Sequence, residues 1–227
     1  MNNTKIEITP IAHIETDFGS KFGIPRQAGL VQELKGRVIF EQEFRSAEAL
    51  RGIEKYSHLW LIWQFSENLR DGWSPTVRPP RLGGNTRVGV FATRSPFRPN
   101  ALGLSCVRLE AIETDKQHGV VLLVSGVDLM NGTPIFDIKP YIPYADCIPE
   151  ATEGFAPKPE EALEVFFEEG TEAAVPGEKK EALKAILSCD PRPRYQNDPE
   201  RIYGMEFAGM DIHFRVDGNR LTVTEIK

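Results

Sequence analysis

The rhythm of residues 1–145 is what most restricts the folds open to this chain. Short apolar runs rich in β-branched and aromatic residues succeed one another: KIEITPIAHI (5–14), GRVIFEQEF (36–44), SHLWLIWQF (57–65), VGVFAT (88–93), LGLSCVRLEAIET (102–114) and GVVLLVSGVDLM (119–130). Runs of this length and make-up read as strands. Pro10 has no amide proton and should break or bulge the first of them. Asp115-Lys116-Gln117-His118-Gly119 turns one run back on the next, and Asn131-Gly132 is a second strong turn before TPIFDIKPYIPYAD (133–146). Gly and Pro mark 18–31 as a loop. One helix is expected here, AEALRGIEKY (47–56), with Ser46 as its cap and Leu50 and Ile53 inward. So many strands and so few helices predict a mainly β fold, most economically a single-sheet β-barrel.

Charge divides the chain. Residues 1–145 carry 17 Lys and Arg against 15 Asp and Glu, whereas residues 146–227 carry 10 against 18. The expected organisation is a barrel domain over 1–145, a linker rich in Pro, Gly and acidic residues over 146–160, and a small α+β domain over 161–227. In that last part LEVFF (163–167) alternates as a strand, and Leu183, Ile186 and Leu187 recur at helical spacing before Asp190-Pro191 stops them. A hairpin is expected around Asp217-Gly218-Asn219, and PRPRYQND (191–198) is the only basic spot in this half.

One stretch breaks the charge balance. Residues 72–109 hold six arginines (Arg78, Arg81, Arg87, Arg94, Arg98 and Arg108) and no Asp, Glu or Lys, in a chain of net charge −6. A guanidinium recognises phosphate or carboxylate through paired donors and stacks on bases. A basic run is commonly a solvated face, but the missing carboxylates favour an anion site.

Other classes find no support. Three dispersed cysteines (Cys106, Cys147, Cys189) and four scattered histidines offer neither a disulfide framework nor metal-ligand spacing, so no metal is expected and reduced thiols suggest the cytoplasm. No apolar run approaches a membrane span, no secretory leader is evident, and neither GxGxxG nor a P-loop is present. Ser57 and His58, adjacent in a strand, should point to opposite faces and form no dyad.

The polar groups at strand ends are Pro25-Arg26-Gln27, His58-Leu59, Arg94-Ser95, Asp128-Leu129-Met130-Asn131 and the segment from Asp137 to Tyr144. SHLW, RPPRLGGN, VGVFATRSPFRPNALG, DLMNGTP and DIKPYIPYAD, in that order, resemble the TsaA-like (TrmO) tRNA methyltransferases. The likeness is dense over 5–145 and thinner through DPRPRY and MEFAGMDIHFRV. It implies a β-barrel homodimer that binds S-adenosylmethionine near the subunit boundary and methylates N6 of threonylcarbamoyladenosine beside the anticodon of tRNA.

The residues that the resemblance would place at the cofactor are Pro25, Arg26, Gln27, His58, Leu59, Arg94, Leu104, Asp128, Leu129, Met130 and Asn131. The tRNA anticodon stem-loop would meet Arg78, Arg81, Arg87, Arg98, Lys139 and Tyr141, with Phe91, Phe97 and Tyr141 as possible stacking platforms. Asp137 is the first candidate for a general base, since the accepting nitrogen is a poor nucleophile until its proton leaves. A non-catalytic RNA-binding barrel and a small-molecule methyltransferase on the same fold remain as alternatives at this point.

Overall fold

The computed structural model describes residues 6–68, 72–155, 162–192 and 198–227; the side chains of Asn68 and Arg81 also lie outside the described residues. The candidate RNA contact Arg81 and the basic-loop residues Arg194 and Tyr195 are therefore not described.

Six strands close into a barrel: β1 (Ala12–Thr16), β2 (Lys35–Phe40), β3 (His58–Gln64), β6 (Leu102–Asp115), β7 (Gly119–Ser125) and β8 (Thr133–Pro140), in the order β1-β2-β7-β6-β3-β8. A separate two-stranded ribbon joins β4 (Thr76–Val77) to β5 (Val88–Gly89). Every barrel pair is antiparallel. Alternation puts one face of each strand inside: Leu59, Leu61 and Trp63 of β3 are buried while His58, Trp60, Ile62 and Gln64 are only half-buried. Ala12, Ile14, Val38, Val107, Leu122, Val124 and Ile135 complete the filling. Closure leaves no sheet edge to protect. β6 is long enough to serve two neighbours, pairing with β3 through Leu102–Arg108 and with β7 from Arg108 onward, with a bulge near Leu109–Ala111. A second bulge, between Ile62 and Trp63 where β3 meets β8, turns the strand end at one mouth of the barrel.

Three local expectations change. Residues 47–56 form two 3-10 turns, Ala47–Leu50 and Ile53–Lys55, because Gly52 at φ 93 breaks the run, and Ser46 makes no side-chain cap. VGVFAT is a strand only at Val88–Gly89; Val90–Ala92 coil into a 3-10 turn closed by Thr93. The first strand begins at Ala12, beyond Pro10, leaving Ile6 and Ile8 exposed.

After a short helix α1 (Pro143–Asp146), the C-terminal domain has β9 (Glu164–Phe167), α2 (Lys180–Ser188), β10 (Tyr203–Phe207), β11 (Met210–Asp217) and β12 (Arg220–Ile226). The sheet order is β10-β11-β12-β9, with only β12–β9 parallel. α2 buries Ala182, Leu183, Ile186 and Leu187, the face its spacing predicts. The two parts share one apolar core, in which Phe18 of the first loop packs on Phe207 at 5.5 Å between ring centres.

Candidate functional site: a cleft at one mouth of the barrel

A cleft of about 800 Å³ opens where β3 ends and β6 begins. Four chain segments build it: the loop with Ile24 to Gln27, the strand end Trp63 to Glu67, the turn from Phe91 to Leu104, and Asp128 to Thr133. A cavity of this size with apolar walls and a few convergent polar groups suits a cofactor-sized organic ligand.

Its floor depends on an absent side chain. A Cβ on Gly103 would lie 2.3 Å from the Trp63 ring, so glycine lets the indole cross β6. The ring packs on Phe65 at 4.3 Å between centres and donates from Nε1 to Ser105 Oγ at 2.9 Å. Ser105, 1% exposed, in turn donates to Asp128 Oδ1 at 2.5 Å. The indole, hydroxyl and carboxylate thus form one chain that aims Asp128 at the cleft. Burial pushes the Asp128 carboxyl up to about 6, although Ser105, the amides of Asp128 and Ala28, and the Arg94 charge all pull the other way.

Arginines line the same cleft. Arg94 donates to Gln27 Oε1, the Gln27 amide donates to the Arg26 carbonyl at 2.5 Å, and Arg26 Nη2 donates to the Arg192 carbonyl at 3.3 Å. Arg98 is tied to the carbonyls of Thr93 and Ser95 at 3.0 and 3.4 Å. Among the described residues Arg94 and Arg98 make no ion pair with a carboxylate.

The loop that bears Pro25, Arg26 and Gln27 lies on the C-terminal domain. Asp17 pairs with Lys179 at 2.6 Å, and its carbonyl accepts from the Ala208 amide at 2.8 Å. A Cβ on Gly23, at φ 92, would strike Met205 Sδ at 2.1 Å. Asp190 grips the nearly buried Arg192 at 2.8 and 3.1 Å, fixing the turn whose carbonyl receives Arg26.

Of the residues singled out in the sequence, the cleft gathers Pro25, Arg26, Gln27, Phe91, Arg94, Arg98, Leu104, Asp128 and Met130. It does not gather the rest. Leu59 is wholly inside the barrel, and Leu129 is buried with its carbonyl accepting from Thr16. Asn131 Oδ1 accepts from the Thr16 amide and so pins the turn to β1. His58 lies at the opposite end of β3, in a second hollow of about 420 Å³ with Gln32, Glu33, Arg108, Glu110 and Ser125. There its Nδ1 is 2.9 Å from Ser57 Oγ, contrary to the opposite-face expectation, because Ser57 precedes the strand.

The remaining candidates lie away from the cleft walls. Asp137 pairs with Lys139 at 2.9 Å and accepts from the Ile138 amide at 2.9 Å. Tyr141 packs on Trp60 at 5.7 Å. Arg78 and Arg87 are exposed on the β4–β5 ribbon. The lining that sequence reasoning missed is Gln64-Phe65-Ser66-Glu67, at the far end of the strand from His58.

Fold and cleft define a class, a closed-barrel protein with a cofactor-sized cleft at one mouth, built without the nucleotide-binding turns of parallel α/β sheets. The model of the tRNA-methyltransferase O N-terminal domain matches residues 13–147, and that of the TrmO C-terminal domain matches 160–227. The tRNA (adenine(37)-N6)-methyltransferase of Escherichia coli is 38% identical over 223 residues, 94% of each chain. A putative S-adenosylmethionine-dependent methyltransferase of Pseudomonas aeruginosa is 41% identical over 215 residues, 91% of each. The crystal structure of TrmO from Pseudomonas aeruginosa superposes with a TM-score of 0.81 at 32% identity, covering 99% of both chains. The chain belongs to the TrmO family.

Proposed function

We propose that this protein transfers a methyl group from S-adenosylmethionine to N6 of threonylcarbamoyladenosine next to the anticodon of tRNA, using the cleft at the mouth of the barrel. The single observation that carries the reading is that Asp128, Arg26 and Arg94 line one cofactor-sized cleft together with Phe65, Leu104 and Met130, in a chain of this family.

The donor set fits the cofactor. A half-buried carboxylate suits its cationic end, guanidiniums suit its carboxylate, and Phe65, Leu104 and Met130 offer apolar surface for a flat ring. Bound there, S-adenosylmethionine supplies an electrophilic methyl on a sulfonium. Ser105 and Trp63 hold Asp128 in place, and the Arg94–Gln27 bond holds the guanidinium wall, so orientation is built before binding. Arg98 and the exposed ribbon arginines Arg78 and Arg87 remain for the RNA phosphates and for the threonine carboxylate of the substrate base.

The working unit is a homodimer. Leu102 and Leu104 expose 39% and 54% of their surface on β6, and Tyr144 and Ile148 expose 91% and 59% beyond β8. A second copy covering these would adjoin the cleft through Leu104. Asp137 acts as general base only where such a copy brings it to the reacting nitrogen. Residues 1–145 bind cofactor, 161–227 brace them, and the protein works in the cytoplasm, where its three free thiols stay reduced.

The test is incubation of purified protein with S-adenosylmethionine and an anticodon stem-loop bearing threonylcarbamoyladenosine, followed by nucleoside mass spectrometry. The expected product is one methyl heavier at that nucleoside, with an unmodified-adenosine stem-loop unchanged. Equal methylation of both stem-loops, or of neither, contradicts the proposal.

A further inference from the structure

One exposed feature extends from the cofactor cleft beyond its rim. Trp73 and Phe91 stack with ring centres 6.0 Å apart and an interplanar angle of 29°, yet they leave 52% and 72% of their surface in solvent. The backbone that carries them is anchored: Val90 is buried, its amide donates to the Pro75 carbonyl at 3.0 Å, and Ser74 Oγ donates to the Thr76 carbonyl at 2.8 Å. Such a pair, held rigid and facing water, keeps most of its stacking surface unspent. Phe91 also lines the mouth of the cleft, so the pair stands at its rim.

A second observation comes from the same ribbon. β4 and β5 pair as Thr76↔Gly89 and Val77↔Val88, and one further step in that register sets Arg78 across from Arg87. Like charges opposite one another on a ribbon repel. Neither arginine pairs with a carboxylate among the described residues; Arg87 only reaches Thr76 Oγ1 at 3.4 Å. Two exposed arginines at one end of a ribbon, paired with no carboxylate among the described residues, suit a polyanion such as RNA.

We infer that the ribbon is an RNA clamp: Trp73 and Phe91 take a splayed base of the anticodon loop, one next to the nucleotide being methylated, while Arg78 and Arg87 hold its backbone phosphates. The inference rests on the tRNA reading above. Aromatic faces bind unstacked bases with little regard to sequence, and arginines track the backbone between them. Exposed stacked rings beside two arginines that pair with no carboxylate among the described residues favour RNA as the occupant.

Stacking and phosphate contact leave different signatures. Binding of a fluorescent anticodon stem-loop to the full chain is measured by anisotropy over a range of salt. Trp73→Leu is expected to weaken binding about tenfold or more with an unchanged salt slope, while Trp73→Phe restores most of it. Arg78→Ala with Arg87→Ala is expected to flatten the slope by about 1.4 to 1.8, one phosphate for each arginine. S-adenosylmethionine affinity, measured by calorimetry, stays at the wild-type value in Trp73→Leu. The clamp is overturned if Trp73→Leu binds the stem-loop as the wild type does, or if its molar mass falls to that of a monomer from a dimer, which marks the ribbon as a contact between copies. A wild-type protein that binds the cofactor but no stem-loop removes the tRNA reading along with the clamp.

Discussion

The two ends of β3 make an instructive pair. At one end His58 lies in a hollow where Glu110 accepts from Ser125 at 2.5 Å and faces Arg108 at 3.5 Å, while His58 bonds Ser57. At the other end Gln64 to Glu67 enter a cleft about twice as large. There burial pushes Asp128 up to about 6, and among the described residues Arg94 and Arg98 bond an amide oxygen and carbonyls but pair with no carboxylate. Polar residues at a strand end are common to both. The buried, raised carboxyl is found only at the second end, and the proposed cofactor site is placed there for that reason.

Replacing Asp128 should separate the ends most sharply. Asp128→Ala is expected to weaken S-adenosylmethionine binding about 100-fold by calorimetry, the scale of a lost hydrogen-bonded charge. The pH dependence carries a definite sign. A carboxyl held near 6, above its ordinary range, makes the folded protein bind the proton more tightly than the unfolded chain. Stability without ligand should therefore fall as pH rises from about 4 to about 6. Cofactor binding runs the other way, because a cationic ligand needs the carboxylate. Affinity is expected to drop as pH falls below about 6, up to tenfold per unit, and Asp128→Asn should flatten that profile.

Gly103→Ala is the next largest test, since its methyl would enter the Trp63 ring. A loss of about 1–3 kcal/mol in denaturant unfolding is expected, the usual cost of overpacking, together with weaker cofactor binding. A stable variant with full affinity would show that the indole does not frame the cleft.

A smaller effect should come from the C-terminal brace. The Lys179–Asp17 pair is partly buried, with side chains 28% and 23% exposed, so Lys179→Met should cost about 1 kcal/mol or less. If the brace positions the loop of Arg26, KM for S-adenosylmethionine rises a few-fold while kcat at saturation holds. A fall in kcat alone would detach this domain from cofactor binding. The smallest change is expected from His58→Ala, with cofactor affinity within about twofold of wild type, as for surface substitutions generally.

Much of this was legible in the chain. The apolar and aromatic make-up of SHLWLIWQF marked a strand, and the helical spacing of Leu183, Ile186 and Leu187 marked the face that α2 buries. The arginine surplus marked the stretch from which Arg94 and Arg98 line the cleft. Which end of β3 opens was not legible, because it depends on barrel closure and on the bulge at Ile62–Trp63. Arg26 and Arg192 meet across 166 positions, so no local pattern announces the brace. Gly52 at φ 93 and the turn at Val90 cut short elements that propensity alone would extend.

The location of the cofactor is the central claim, and hydrogen exchange read by mass spectrometry tests it without altering a residue. Adding S-adenosylmethionine to the full chain should slow exchange in peptides covering 24–28, 63–67 and 126–133, and leave 57–59 and 108–110 unchanged. Protection centred on His58 and Arg108, with none around Asp128, would contradict it.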